Sequence, residues 1–350
     1  MKTLFTFLLI GCLSGSAWAT IFTVCPNTSY PAQFATIQAA NDSASPGDTI
    51  YVYPAKYLVA TNLSKRLVLI GPGLDPHRPT RVPATMIQPF HLVGAACSGT
   101  VIMGITFNHE VLSGNYTTLV NNLSFIECRF NSTAQFWGNN ILVENCILYR
   151  CAQCDAVSLA FFTDNAYGNI IQNNYIQGSI ALQSGTNTLI RNNIFASVDV
   201  NSNAFLDMTW QLSYGPAVHI FNNIFYKSNP ATPYNATNES AFINNIYYLT
   251  SKPIPSNLLS SGNINADPQF VNFPAAGDLF SFNYDYHLQS SSPGIKYGTD
   301  GYDVGIWDGP SPVNAGFEPP IPRIYDMKVG NSRVPAGGTI QLTIKASKAL

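Results

Sequence analysis

The sequence predicts an all-β solenoid, a parallel β-helix with an N-terminal capping helix and a short C-terminal β extension. Three observations carry this. An asparagine pair between large apolar residues recurs: NIIQNNYI at 169–176, LIRNNIF at 189–195, HIFNNIF at 219–225 and AFINNIY at 241–247. The copies return at intervals of roughly 22 residues, the mark of a solenoid. Only 10% of the 350 residues are charged while 12% are aromatic. An average soluble domain carries about 25% charge, and a disordered chain would lack the aromatics.

Weaker copies extend the series to VIMGITF, SFIECRF and LVENCIL, with a degenerate one at SSGNINA. Aligned on the first residue of the pair, the corner positions are Gly104, Glu127, Asn145, Asn173, Asn192, Asn222, Asn244 and Gly262. Short β-branched and aromatic runs bounded by Asn, Ser and Gly read as strands. Asparagine tolerates the left-handed backbone, so it suits a sharp bend between two strands of one coil. Stacked coils bring equivalent amides to the strand spacing of about 4.8 Å, where they bond in a row.

The elements follow in chain order. Residues 1–19, MKTLFTFLLIGCLSGSAWA, read as a secretory signal with cleavage after Ala19, too short for a lasting membrane span. The alternative is a lipoprotein signal that places a lipid on Cys12. Residues 20–99 hold the N-terminal cap and first coils: Phe34, Ile37 and Ala40 fall on one helical face, Pro46-Gly47-Asp48 breaks the helix, and a strand follows at Ile50 and Val52. An open solenoid end exposes core and strand edges, so a cap is required there. Residues 100–266 are the repeats. Residues 267–317, rich in aromatics and turn residues, are expected to seal the far end. Residues 318–350 form a Pro-rich linker and two alternating strands, a segment that packs on the solenoid or opens a further module.

Six cysteines follow the signal. Cys128 and Cys146 occupy the same repeat position on consecutive coils and read either as a bridge or as two buried thiols. Cys151 and Cys154 form a C-x-x-C for which a loop disulfide is the plain reading, since neither a second pair nor a thioredoxin-like context is present.

The order ATIQAANDSASPGDTIYVYPAKY, then the N-N repeats, then DPQFVN and DYHLQSSSPGI resembles secreted bacterial right-handed parallel β-helix repeat proteins of the pectate-lyase-like superfamily, over Phe34 to Gly309. The resemblance implies a right-handed coil and an extracellular or cell-surface place. It is nearly silent on chemistry, because the group mixes lyases, hydrolases, epimerases and proteins without known activity. Its polysaccharide-active members use carboxylates to hold Ca²⁺ or as an acid/base pair, and lyases add an Arg or Lys base. The paired Asp motifs and Gly-His-Gly of the glycosidase members are absent here.

Coil length supplies a positional clue. The long intervals 145–173 and 192–222 flank a compact coil and are expected to wall a groove. The first wall carries Asp155 and Asp164, the second Asp199, Asp207, Trp210, Tyr214 and His219. In the uronate-lyase reading Arg191 is the base, with Asp207 and His219 beside it. Asp199 and Asp207 hold Ca²⁺, while Trp210, Tyr214, Asp155 and Asp164 grip the sugar. The plainer reading makes these aspartates turn caps, Trp210 a core filler and His219 structural. Strand alternation also points Glu144, Gln172 and Arg191 outward on three successive coils, as an electrostatic row or an ordinary surface row.

Two functions follow. One is action on, or binding of, an extracellular polysaccharide. The other is a non-catalytic adhesin-like protein that binds surface glycans or a protein through the outward apolar stripe Ile147, Tyr175, Ile194, Ile224 and Ile246. A third possibility makes the tail part of a larger assembly. A net charge of −2 gives no argument for nucleic acid.

Overall fold

The computed structural model describes residues 19–28, 30–75, 84–149, 157–162, 167–182, 188–199, 201–207, 218–230, 240–254, 259–275, 277, 279–314, 317, 319, 323–329, 337–339 and 342–347. Within them the chain winds as a right-handed parallel β-helix, the sense that crossovers between parallel strands take. Three parallel sheets of eleven, ten and seven strands run along the solenoid. The coils from Thr49 to Asp207 visit them in that order, as in Ser124–Ile126, Arg129–Phe130 and Ala134–Phe136, and the later described strands of the solenoid belong to the first two sheets. The eleven-stranded sheet begins earlier than the asparagine repeat indicates, with Ile21–Val24, Thr49–Val52 and Val68–Ile70. Those first corners carry no asparagine pair, so a search for the pair passes over them.

At the N-terminal end the helix Ile37–Ser43 is capped by Thr36, whose Oγ1 accepts the Ala39 N–H at 3.1 Å. This bond satisfies one of the donors a helix start leaves open. Ile37 and Ala40 are buried in the same core as Val24 and Ile50, so the helix covers the end as its pattern predicts.

The asparagine pair divides its labour. The first residue takes the bend, with φ of 53° at Asn145, 55° at Asn173, 54° at Asn192, 58° at Asn222 and 53° at Asn244. Glu127 does the same at 52°, and Gly104 and Gly262 complete the series. The second residue makes the amide row. Asn174, Asn193, Asn223 and Asn245 are fully buried. Asn193 Oδ1 accepts the Asn174 N–H at 2.9 Å and Asn174 Nδ2 at 3.0 Å. Its own Nδ2 donates to Ile171 O and Asn223 Oδ1, both at 2.9 Å. The pattern continues through Asn223 and Asn245 to Asn263. Backbone groups in a buried bend have no water to bond, so side chains of fixed geometry must serve them.

Cys146 and Cys128 stand on the rungs before Asn174. Cys146 Sγ accepts the Cys128 N–H at 3.3 Å and donates toward Phe125 O at 3.4 Å. Asn174 Nδ2 makes the equivalent bond to Val143 O at 2.9 Å. One sulfur thus fills both roles of an amide. Both cysteines are free and buried, as are Cys25 and Cys97. Burial, and then the neighbouring Cys128 thiol, holds the Cys146 thiol well above the ordinary cysteine range, which makes it unreactive. Cys12, Cys151 and Cys154 lie outside the described residues. A Cys146→Asn chain is expected to stay within about 1 kcal/mol of the parent in urea unfolding, since it can make the same two bonds. Cys146→Leu can make neither and should cost about 2–3 kcal/mol. Equal losses for the two would show that the thiol only fills space.

The segment 267–317 does not seal the far end. It folds back along the flank. Phe270–Asn272 and Asp285–Leu288 pair antiparallel, and the chain then retraces the corner row from the last coils to the first. Tyr297 O accepts Asn244 Nδ2 at 2.8 Å, and the Thr299 N–H donates to Asn222 Oδ1 at 2.9 Å. Further along, Ile306 O and Asp308 O accept Asn173 Nδ2 at 3.1 and 3.2 Å, Asn314 bonds Glu127, and Phe317 O accepts the Leu74 N–H at 3.2 Å. Beneath this strap lies a second core, in which Ile147, Tyr175, Ile194, Ile224 and Ile246 pack against Phe270, Phe280, Tyr286 and Ile306. The outward stripe expected to bind a partner is therefore covered, each of its five residues no more than 1% exposed. The physical reason is that so apolar a row gains by burial, and the aromatic closing segment is its cover. Beyond it, Arg323–Val329 and Leu342–Ser347 pair antiparallel, as alternation in the tail predicts.

Candidate functional site

With the ten-stranded sheet covered, the outer faces of the other two sheets carry the half-exposed side chains. On the eleven-stranded sheet, register sets Glu144, Gln172 and Arg191 side by side on successive coils. The Gln172 amide donates to Glu144, and its Oε1 accepts Arg191 Nε at 2.9 Å. Arg191 is in register with Phe221, and the His219 ring lies 5.8 Å from that of Phe221. Arg191 and His219 thus share a face.

Asp207 does not join them. It ends the strand Phe205–Asp207 of the seven-stranded sheet, in register with Leu182, because the coil turns between the two sheets. Asp199 is exposed. Its Oδ1 accepts the Asn201 N–H at 2.9 Å, and its own N–H donates to Ser197 Oγ at 3.0 Å. That is the turn-capping role common to aspartate. Asp155, Asp164, Trp210, Tyr214 and the Asp207 side chain lie outside the described residues. Among the described residues no three His, Cys, Asp or Glu side chains converge as a metal site. The described row holds one carboxylate, Glu144, whereas acid/base hydrolysis of a glycoside uses two.

The seven-stranded face holds what the sequence reading missed. Trp137 follows Phe136, and Phe162 follows Phe161 on the next coil; their N–H groups continue the strand bonding to Ser113 O and Phe136 O, each at 3.0 Å. The two rings stack with centroids 4.6 Å apart at 17°. One coil earlier the same row position is Gly114, whose N–H bonds Leu92 O at 3.0 Å. Its φ is +69°, and a Cβ there would meet Thr118 O at 2.3 Å, so glycine is required. Val93, 54% exposed, stands one coil further. The row therefore reads Val93, Gly114, Trp137, Phe162, and the space over Gly114 is taken by Thr118 O and the Val120 side chain.

Polar groups border this row. Asn115 Oδ1 accepts the Thr117 and Thr118 N–H groups at 2.9 and 3.0 Å, a turn that leaves Tyr116 87% exposed. Two residues before the row, the outward strand positions on successive coils are Asn62, His91, Leu112, Gln135 and Ala160. His91 Nδ1 is 3.2 Å from Asn62 Oδ1, and its Nε2 is 3.9 Å from Glu110. Aligning the third strand of each coil, AQFW against LAFF, is the sequence signal that finds the stack.

No protein-family model matches the chain, and no curated protein sequence matches it. Among solved structures it is similar to one titled "Crystal structure of pectate lyase Pel9A", with a TM-score of 0.47 and 16% identity. The match covers 87% of this chain and 97% of that chain. Identity that low transfers no residue role from one chain to the other. No helix among the described residues is long and apolar enough to cross a membrane.

Proposed function

We propose that this β-helix protein binds extracellular polysaccharide along the outer face of its seven-stranded sheet, with Trp137 as the stacking platform. The observation that carries the reading is the half-buried Trp137–Phe162 stack on the outer face of the seven-stranded sheet. A sugar ring presents apolar C–H faces and polar edges. An aromatic face with nearby amides and a carboxylate meets both needs. Gln135, Asn62, His91 and Glu110 supply the polar edge. Between Val101 and Thr250 the only cations are Arg129, Arg150, Arg191 and Lys227, and Arg191 is already tied to Glu144 through Gln172. So few positive charges favour a neutral glycan over a polyanion.

Affinity electrophoresis of the purified protein through gels containing xylan, β-glucan, mannan, pectate or alginate tests this, with and without Ca²⁺. Retardation by a neutral polysaccharide is expected. Trp137→Ala should weaken it about tenfold or more, equivalent to about 1.4 kcal/mol, with the circular dichroism unchanged. Release of unsaturated uronate from pectate or alginate, abolished by a chelator, would replace binding with the calcium-dependent lyase reading and its loop aspartates. Migration unaffected by every polysaccharide would end the glycan proposal.

A further inference from the structure

We propose that the outer face of the eleven-stranded sheet is a self-complementary surface on which a second copy of this chain docks, face to face, with the two solenoid axes antiparallel. Along the solenoid one outward row of this sheet runs Ile126, Glu144, Gln172, Arg191, Phe221. Its centre is neutral, its neighbours are one anion and one cation, and its flanks are apolar on both sides. The adjoining row is centred on Ile170, between Leu142 and Leu189. Over the three central coils both rows read alike from either end, except that the charges exchange sign; beyond them the second row ends on Ser124 and His219, which face each other across the axis.

An isologous dimer requires that property. A two-fold axis lying in the interface along the strand Ile170–Gln172 reverses the order of coils and leaves each row opposite itself. Glu144 of each copy then meets Arg191 of the other, Ile126 meets Phe221, and Leu142 meets Leu189. The stacked parallel strands form a surface of the kind that packs on another sheet at about 10 Å. Within one copy Arg191 uses only Nε, on Gln172, and Glu144 accepts only from Gln172. The guanidinium Nη groups and the second carboxylate oxygen are therefore available for the paired, charge-assisted bonds that an Arg–carboxylate contact makes. The charges also fix the register. Sliding one copy by a single coil sets Glu144 against Phe221, an unpaired anion on an apolar surface, which is strongly unfavourable. The half-exposed Ile126, Leu142, Leu189 and Phe221 supply the apolar contact that the exposed monomer leaves in water.

Sedimentation velocity and light scattering of the whole chain over a concentration series decide it. The parent is expected to reach twice the monomer mass as concentration rises. Glu144→Arg and Arg191→Glu, each setting like charges opposite one another, should each weaken dimerisation about tenfold or more. The double variant Glu144→Arg/Arg191→Glu restores opposite charges across the axis and should return to within about threefold of the parent. Leu142→Asp, on the second row, should abolish the dimer without touching the charged trio, with circular dichroism confirming its fold. A parent that stays monomeric at every concentration overturns the proposal. So does a dimer indifferent to the single reversals and to Leu142→Asp, or a double variant no better than the singles.

Discussion

Asn193→Ala is expected to lower the free energy of unfolding in urea by about 3–5 kcal/mol, while Asn192→Gly, one residue earlier, should leave it unchanged or raise it by up to about 1 kcal/mol. The two asparagines look alike in the sequence and do opposite work. Removing the Asn193 amide strands the buried Asn174 N–H and one Asn174 Nδ2 proton and takes a donor from the Ile171 carbonyl, while Asn223 Oδ1 keeps the Asn193 N–H. Each orphaned buried group costs about 1–3 kcal/mol, and no water reaches a fully buried corner. Asn192 contributes conformation instead. Its φ is 54°, and neither of its buried amide atoms has a hydrogen-bond partner. Glycine adopts that backbone freely and removes two unsatisfied groups. Equal losses at the two positions would mean that the pair acts as a unit and that the division of labour is wrong.

How much was legible follows from this pair. A bend that needs a left-handed residue has few solutions, so it repeats as Asn, Gly or Glu127 and shows in one sequence. The outward alternation of Glu144, Gln172 and Arg191 was legible for the same reason, since strand period fixes facing. The strap was not. Whether an apolar stripe such as Ile147, Tyr175 and Ile194 meets solvent, a partner or its own chain depends on where residues 267–317 return, and no local rule contains that. The Trp137–Phe162 stack was missed because it lies on the third sheet, away from the corner that supplied the alignment. Asp207 and His219 lie in the same long interval of sequence, just after Arg191, which invites grouping the three. The coil turns within that interval and separates them.

Tyr286→Ala is expected to cost about 3–5 kcal/mol, the usual range for deleting a large buried ring, and to act on the strap before the coils. Tyr286 is 2% exposed. Its ring centroid lies 5.1 Å from Tyr175 and 5.2 Å from Phe280, stacked on the latter at 12°. Its hydroxyl accepts the Ser281 N–H at 2.9 Å. It therefore joins the outward row of the ten-stranded sheet to the segment that covers it. The coils keep their own core and their inner asparagine row, neither of which touches Tyr286. Loss of the ring should open the strap as a separate unit at lower denaturant, exposing Ile147, Tyr175, Ile194 and Ile224 while the β-sheet signal persists. A hydrophobic dye should bind in that window, and Tyr286→Phe, which keeps the ring, should lose only about 1 kcal/mol. A single transition in which dye binding and sheet loss coincide would show instead that strap and solenoid unfold as one body, and the strap would then be part of the fold nucleus rather than a cover laid on it.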